Sequence, residues 1–292
     1  MIKIENDFLI VKAKTAGAEL TSIFNKKTNL EYLWQAEKEW TKQAPVLFPI
    51  VGQLKENSYF YDGKSYSLDR HGFARNSQFT PDSYRDHNSQ FSRIEFVLKS
   101  SDKTLNNFPF QFELKIIYSV EEVKLNIKYE VKNSADNNMF FSIGAHPAFK
   151  IPLIENELYK DYFLEFNQNE FAERWKLQNG LVADEKEIVL NNTNKLPLKK
   201  SLFYDDALVF KHLKSDKISI KSEKSNHGLH FNFKGFPYFG IWAAKDAKFV
   251  CLEPWHGIAD SVSHDHQLEN KEGIINLEGG KTFSCEYSIE PY

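Results

Sequence analysis

The chain has 292 residues, with 37 Lys and Arg against 40 Asp and Glu, a net charge of −3. That near-balance excludes a protein built chiefly to hold polyanions, and 41% hydrophobic with 26% charged residues excludes a disordered chain. The length suits one large sandwich or barrel that folds without disulfide staples, so a single domain over residues 1–292 is expected.

The N-terminal MIKIENDF carries charge at once and shows no apolar leader core. With only two cysteines, Cys251 and Cys285, it predicts a cytoplasmic protein without a disulfide framework. IKIEN and FLIVKAKT read as strands around a turn at Asn6-Asp7. The longest uncharged apolar stretch, 44–52, is far too short to cross a bilayer, so no membrane partner is expected. FYDGKSYSL places Asp62-Gly63 between aromatic arms, a type I′ hairpin signal. FELKIIYSV and VKLNIKYEV flank Glu121-Glu122 as a second hairpin. SLFYDDALVF, KISIKSE, LHFNF, FGIWAA, KFVCLEP and FSCEYSIE continue the pattern. Short helices are predicted at PDSYRDH (81–87) and NEFAERW (169–175).

Regularly spaced short strands indicate an all-β, antiparallel sandwich or barrel. The 25 Phe, 13 Tyr and 5 Trp fit that class, because bulky rings suit a pleated, half-buried surface. The five lysines of 211–224 read as a solvated strand face rather than an anion site. No feature points to nucleic acid.

Three segments stand apart: DRHGFAR (69–75), GAHPAF (144–149) and CLEPWHG (251–257). Each sets an ionisable residue among small and aromatic ones beside a Gly or Pro, the context of a strand end facing a cavity. Two histidines and a glutamate gathered there can act as general acid and base near neutral pH. His264-Asp265-His266 with Glu269 hints at a metal site, but the surrounding ADSVSHDHQLENKEG is polar throughout and reads as a solvated loop. No metal is expected. His256 reads as a supporting residue and Cys251 as a small buried one.

In that order, HGFAR, GAHPAF and LEPW, with GAEL at 17–20, LEYLW at 30–34 and LEGGKTF at 277–283, resemble the aldose 1-epimerase (galactose mutarotase) family, most closely its shorter LacX-like bacterial branch. The resemblance implies a large antiparallel β-sandwich with a sugar cleft. It implies an isomerase that exchanges α and β anomers of a hexose or hexose phosphate with no cofactor, as a monomer or homodimer. It assigns Glu253 as general base, His146 as general acid at the ring oxygen, and His71 as a second histidine on the substrate. Asp206 would grip sugar hydroxyls, with Asp205 the competing choice. Arg75 would line the pocket, and Trp255 and Phe149 would stack on the sugar, while Trp242 reads as core. Family members commonly carry Arg where this chain has Gln53, so Gln53 stands as a substrate ligand with neutral chemistry. That departure keeps open a non-catalytic, sugar-holding protein with the same cleft.

Overall fold

The computed structural model describes residues 1–82 and 91–292. It is built of antiparallel strands, as the alternation predicts. Ile2–Glu5 pairs with Leu9–Ala13 across a turn in which Asn6 Oδ1 accepts from the Phe8 and Leu9 amides. Asp62 and Gly63 both take positive φ, 49° and 69°. That twist lets Ser58–Tyr61 and Lys64–Ser67 pair without splaying. Phe112–Glu121 and Lys124–Asn133 pair along their whole length. Buried and half-exposed side chains largely alternate along both, which fixes their register against the core.

Two local expectations are corrected, and a third lies mostly outside the described residues. NEFAERW is not a helix but lies within the long strand Tyr162–Gln178. Glu170 and Ala172 point inward while Phe171 and Glu173 face solvent. This two-residue period, locked by pairing with Leu181–Pro197, overrides the helical propensity of Glu, Ala and Arg. SLFYDDALVF is strand only at Leu208–Lys211. Its first half is a turn in which Asp206 takes φ 97°. PDSYRDH begins as strand, Thr80–Asp82, and positions 83–87 lie outside the described residues.

Among the described residues, fifteen strands join one large antiparallel sheet, and Ile2–Glu5, Leu9–Ala13, Leu20–Asn25 and Leu30–Glu31 form a second of four. One apolar core takes side chains from both, including Leu9, Val11 and Ile23 with Ile116, Tyr118 and Ile127. Tyr118 donates its hydroxyl to the Ala18 carbonyl at 2.7 Å, so the ring's polar end is satisfied where it is buried. Three of the five lysines of 211–224 are held by acids: Lys211 by Glu272, Lys221 by Glu165 and Lys224 by Asp161. No helix among the described residues is long and apolar enough to cross a membrane.

The long hairpin of Tyr162–Gln178 and Leu181–Pro197 turns at Asn179-Gly180. Just past this turn it is held by the loop after residue 257. The Val182 amide donates to the Asp260 carbonyl at 2.8 Å, and the Val262 amide donates back to Val182 at 3.0 Å. Asp260 is itself anchored. Its Oδ1 accepts from Lys271 Nζ at 2.7 Å, its Oδ2 from the Lys55 amide at 2.9 Å, and its own amide donates to the Gln53 carbonyl at 2.9 Å. Both charged side chains are fully buried. Removing one partner of such a pair strands the other charge, a cost of about 3–5 kcal/mol. Asp260→Ala is therefore expected to lower the unfolding free energy by that amount in urea titration, and a change below about 1 kcal/mol would contradict the anchoring role.

Candidate active site

Strand register assembles the centre of the site. Phe249–His256 runs through the large sheet with nearly every residue buried. On one side Tyr238–Trp242 pairs with it, setting Gly240 opposite Glu253. On the other side, two short strands share a single register. Ile143–Ala145 sets Gly144 opposite Trp255, and Ala148–Lys150 sets Ala148 opposite Cys251. Between them the same register brings His146 opposite Glu253. Pro147, which has no amide hydrogen, interrupts the ladder there, while its carbonyl still accepts from the Leu252 amide at 3.2 Å. Strand alternation sends Cys251, Glu253 and Trp255 to one face. His146 Nε2 therefore stands 3.2 Å from Glu253 Oε2.

His71 arrives from a different part of the chain. Its amide donates to the Gly52 carbonyl at 2.8 Å, and the Gly52 amide donates to His71 Nδ1 at 3.1 Å. A neutral imidazole that accepts at Nδ1 carries its proton on Nε2. His71 and Gly72 both take left-handed backbone, φ 69° and 68°. A side chain at position 72 would strike the Phe48 carbonyl, so only glycine fits after this histidine. The His71 and His146 rings meet edge to face, with centroids 5.7 Å apart.

His71, His146 and Glu253 line a cavity of about 640 Å³. Burial sets their protonation. The His146 imidazole is pushed down to about 3 by desolvation, with Arg70 and Arg75 adding to the shift. The same cause holds the Glu253 carboxyl well above the usual carboxylate range, which Arg70 opposes and Asp206 reinforces. His71 is held neutral by burial, then by His146 and the two arginines. Desolvation disfavours a charge on either member of the His146–Glu253 pair. The pair therefore holds one proton and no net charge, and the proton's position decides which group is acid and which is base.

The other anticipated residues divide. Arg75 lines the cavity, and its guanidinium donates to the Arg70 carbonyl at 2.7 Å. Trp255 lines it too. Asp206 and Asp205 both reach it, but differently. Asp206 is half-buried and acts electrostatically on Glu253, whereas Asp205 is 85% exposed and lies 3.8 Å from Arg174. Phe149 does not line the cavity. It is fully buried and packs edge-on against Phe231, because its place in the strand points it to the opposite face from His146's neighbours. Trp242 is the reverse correction. It lies opposite Cys251, on the Glu253 face, so it lines the cavity as well as packing against the core, edge-on to His146 at 5.6 Å. Gln53 stands behind the hairpin turn, its side-chain oxygen against Gly180. His256 packs between Phe236 and Phe283. His264 turns to Asp260 at 3.5 Å while Asp265 pairs with Asn270, so the HDH side chains do not converge.

Of the cavity residues that the sequence does not single out, two bear directly on the acid–base pair. Arg70 directly precedes His71 and brings a cation to the site. Trp40 stacks on His146, with centroids 5.0 Å apart and planes at 29°. Its only signal was a lone Trp in the polar run EKEWTKQ.

This fold is that of the galactose mutarotase-like proteins on which the chain superimposes. The family's sequence profile matches residues 1–272, and the chain belongs to the aldose 1-epimerase family. It is 36% identical over 299 aligned positions to the chromosomal LacX protein of Lactococcus lactis subsp. lactis, covering 99% of this chain and 98% of that one. It superimposes at TM-score 0.93 and 34% identity on a galactose mutarotase related enzyme from Lactobacillus acidophilus, over 100% of this chain and 97% of the other. A galactose mutarotase-like protein from Lactobacillus casei matches at TM-score 0.91 and 28% identity over 100% of both chains.

Gly240 keeps the floor of the cavity in place. A Cβ there would lie 2.5 Å from Cζ2 and Cη2 of Trp255. Gly240→Ala is expected to push the indole aside at a cost of about 1–3 kcal/mol. Thermal denaturation and tryptophan fluorescence check this, and a variant matching the parent in both would refute the close approach.

Proposed function

We propose that the protein is an isomerase that interconverts the α and β anomers of a hexose or hexose phosphate. The observation that carries this reading is the His146–Glu253 pair, 3.2 Å apart and nine-tenths or more buried, on the wall of a cavity large enough for a hexose. Anomer exchange needs one group to take the C1 hydroxyl proton and another to give a proton to the ring oxygen. A buried pair holding a single proton supplies both.

In this reading Glu253 is the base and His146 the acid. Burial favours the shared proton on Glu253 in the free protein. Once it passes to the imidazole, which leaves the pair's net charge at zero, the carboxylate removes the C1 hydroxyl hydrogen as Nε2–H protonates the ring oxygen. The C1–O5 bond breaks, C1 becomes a carbonyl carbon, and the open chain turns about C1–C2. Closure on the other face runs the same transfers backwards, with Glu253 returning its proton to O1 and His146 recovering the one it gave. The cycle leaves both groups as they began. Neutral His71 offers an Nε2–H to sugar oxygen without adding charge to the buried site. Trp40, Trp242 and Trp255 give apolar surface for the sugar's C–H faces. Arg70 and Arg75 supply positive charge that suits hydroxyls or a phosphate, and Asp206 supplies acceptors beside Glu253.

Magnetisation transfer between the two H1 signals of glucose, galactose and a hexose 6-phosphate tests the reading. The protein is expected to speed exchange on at least one of them. Glu253→Gln is expected to lower that rate by at least about 10²-fold, the usual weight of one general base. Binding of a sugar with exchange left at its spontaneous rate would overturn the epimerase reading in favour of a sugar-holding protein.

A further inference from the structure

We propose that Cys251, His146 and Glu253 form a site for a thiophilic divalent cation of the zinc type, whose occupation silences the acid–base pair. The silencing rests on the function proposed above, whereas the binding does not.

Cys251 lies two residues before Glu253 on one strand, so their side chains leave the same face. The Cys251 sulfur, a His146 ring nitrogen and a Glu253 carboxylate oxygen all lie within 4.8 Å of one another. His146 Nε2 and Glu253 Oε2, at 3.2 Å, already have the spacing of two ligands on one tetrahedral zinc. Metal–ligand bonds of about 2.0–2.1 Å put such ligands about 3.3 Å apart. The sulfur needs to approach by only about 1 Å to close the triangle, given Zn–S near 2.3 Å. No other group of three such side chains converges among the described residues.

The ligand types select the ion. Thiolate, imidazole and carboxylate together suit zinc and its borderline neighbours, while magnesium and calcium take oxygen ligands. His146 and Glu253 line the cavity, whereas Cys251 is fully buried and does not. A cation therefore enters from the cavity, settles between the pair, and meets the sulfur behind it. Its fourth position faces back into the cavity, open to water or a sugar hydroxyl. Trp40, stacked on His146, holds the ring plane in which the nitrogen lone pair lies.

Charge also balances. A thiolate, a carboxylate and a neutral imidazole carry two negative charges, which a divalent cation neutralises, so the occupied site escapes the cost of an unpaired buried charge. Binding releases the protons these ligands held to solvent. The same ion occupies the lone pair of the acid and the oxygen of the base, which ends proton transfer.

The test uses cobalt(II) as a spectroscopic stand-in for zinc, with zinc itself in the exchange assay. The wild-type chain is expected to bind one cobalt ion with a near-ultraviolet thiolate-to-cobalt band that zinc abolishes. Zinc is expected to stop anomer exchange and a chelator to restore it. Cys251→Ala should lose the band and weaken zinc inhibition by about 100-fold, leaving metal-free exchange as it was. Cys251→Ser, which keeps the side-chain volume, should do the same, and thermal denaturation confirms that each variant is folded. Absence of the band in the wild type overturns the proposal, as does inhibition unchanged in folded Cys251→Ala. Binding lost in His264→Ala but kept in Cys251→Ala overturns it in favour of the polar loop. If no sugar is epimerised, the cobalt band still decides the binding, so the two readings fail separately.

Discussion

A carboxyl group with 2% of its surface exposed needs a hydrogen-bond partner, a cation or a proton of its own. Glu253 finds its nearest partner straight across the ladder, because one strand register continues from Ile143–Ala145 to Ala148–Lys150 past a proline. On its other flank it meets Gly240, which has no side chain to compete for the space. The imidazole on one side and the Trp255 indole lying over Gly240 on the other leave the carboxylate facing the cavity. The remainder of the site is arranged around that direction. His71 closes one side from the Gly52 turn, Trp40 and Trp242 bracket His146, and Asp206 approaches from the turn before Leu208–Lys211.

Much of this was legible in the chain. Asp62-Gly63, Glu121-Glu122 and the alternating arms around them fixed hairpins because turn chemistry and period agree over a short span. His71, His146 and Glu253 were marked by the order of the three motifs, which resembles that of the aldose 1-epimerases; each motif alone is a weak signal, since a histidine beside glycine is more often structural. What was missed depends on contacts distant in sequence. The face of Trp242 is decided by its opposition to Cys251, which no local window contains, and that of Phe149 by its pairing with Val250 on the register that His146 and Glu253 share. NEFAERW has helix-forming residues, yet its pairing with Leu181–Pro197 decides its conformation. Arg70 and Trp40 carry no periodic signal, since loops place them.

Gln53, anticipated as a substrate ligand, is not among the residues that line the cavity. Its backbone carbonyl accepts from the Asp260 amide and its side chain rests against Gly180. Arg70, from the adjacent turn, brings a guanidinium to the cavity, and it acts on Glu253, His146 and His71 alike. Positive charge at the site is thus carried by a neighbouring segment, and Gln53 has become part of the scaffold under the hairpin.

That hairpin has a kinetic consequence. Its far end, with Leu177, Gly180 and Val182 on the cavity wall, is hydrogen-bonded to a loop whose own anchor is a fully buried ion pair. The wall is therefore assembled when the chain folds, and the ordering entropy is met then rather than at each encounter with a ligand. A preformed mouth suits a reaction whose substrate and product differ only at one carbon. In the anomer exchange proposed here both forms would enter and leave by the same route, with no lid to wait for.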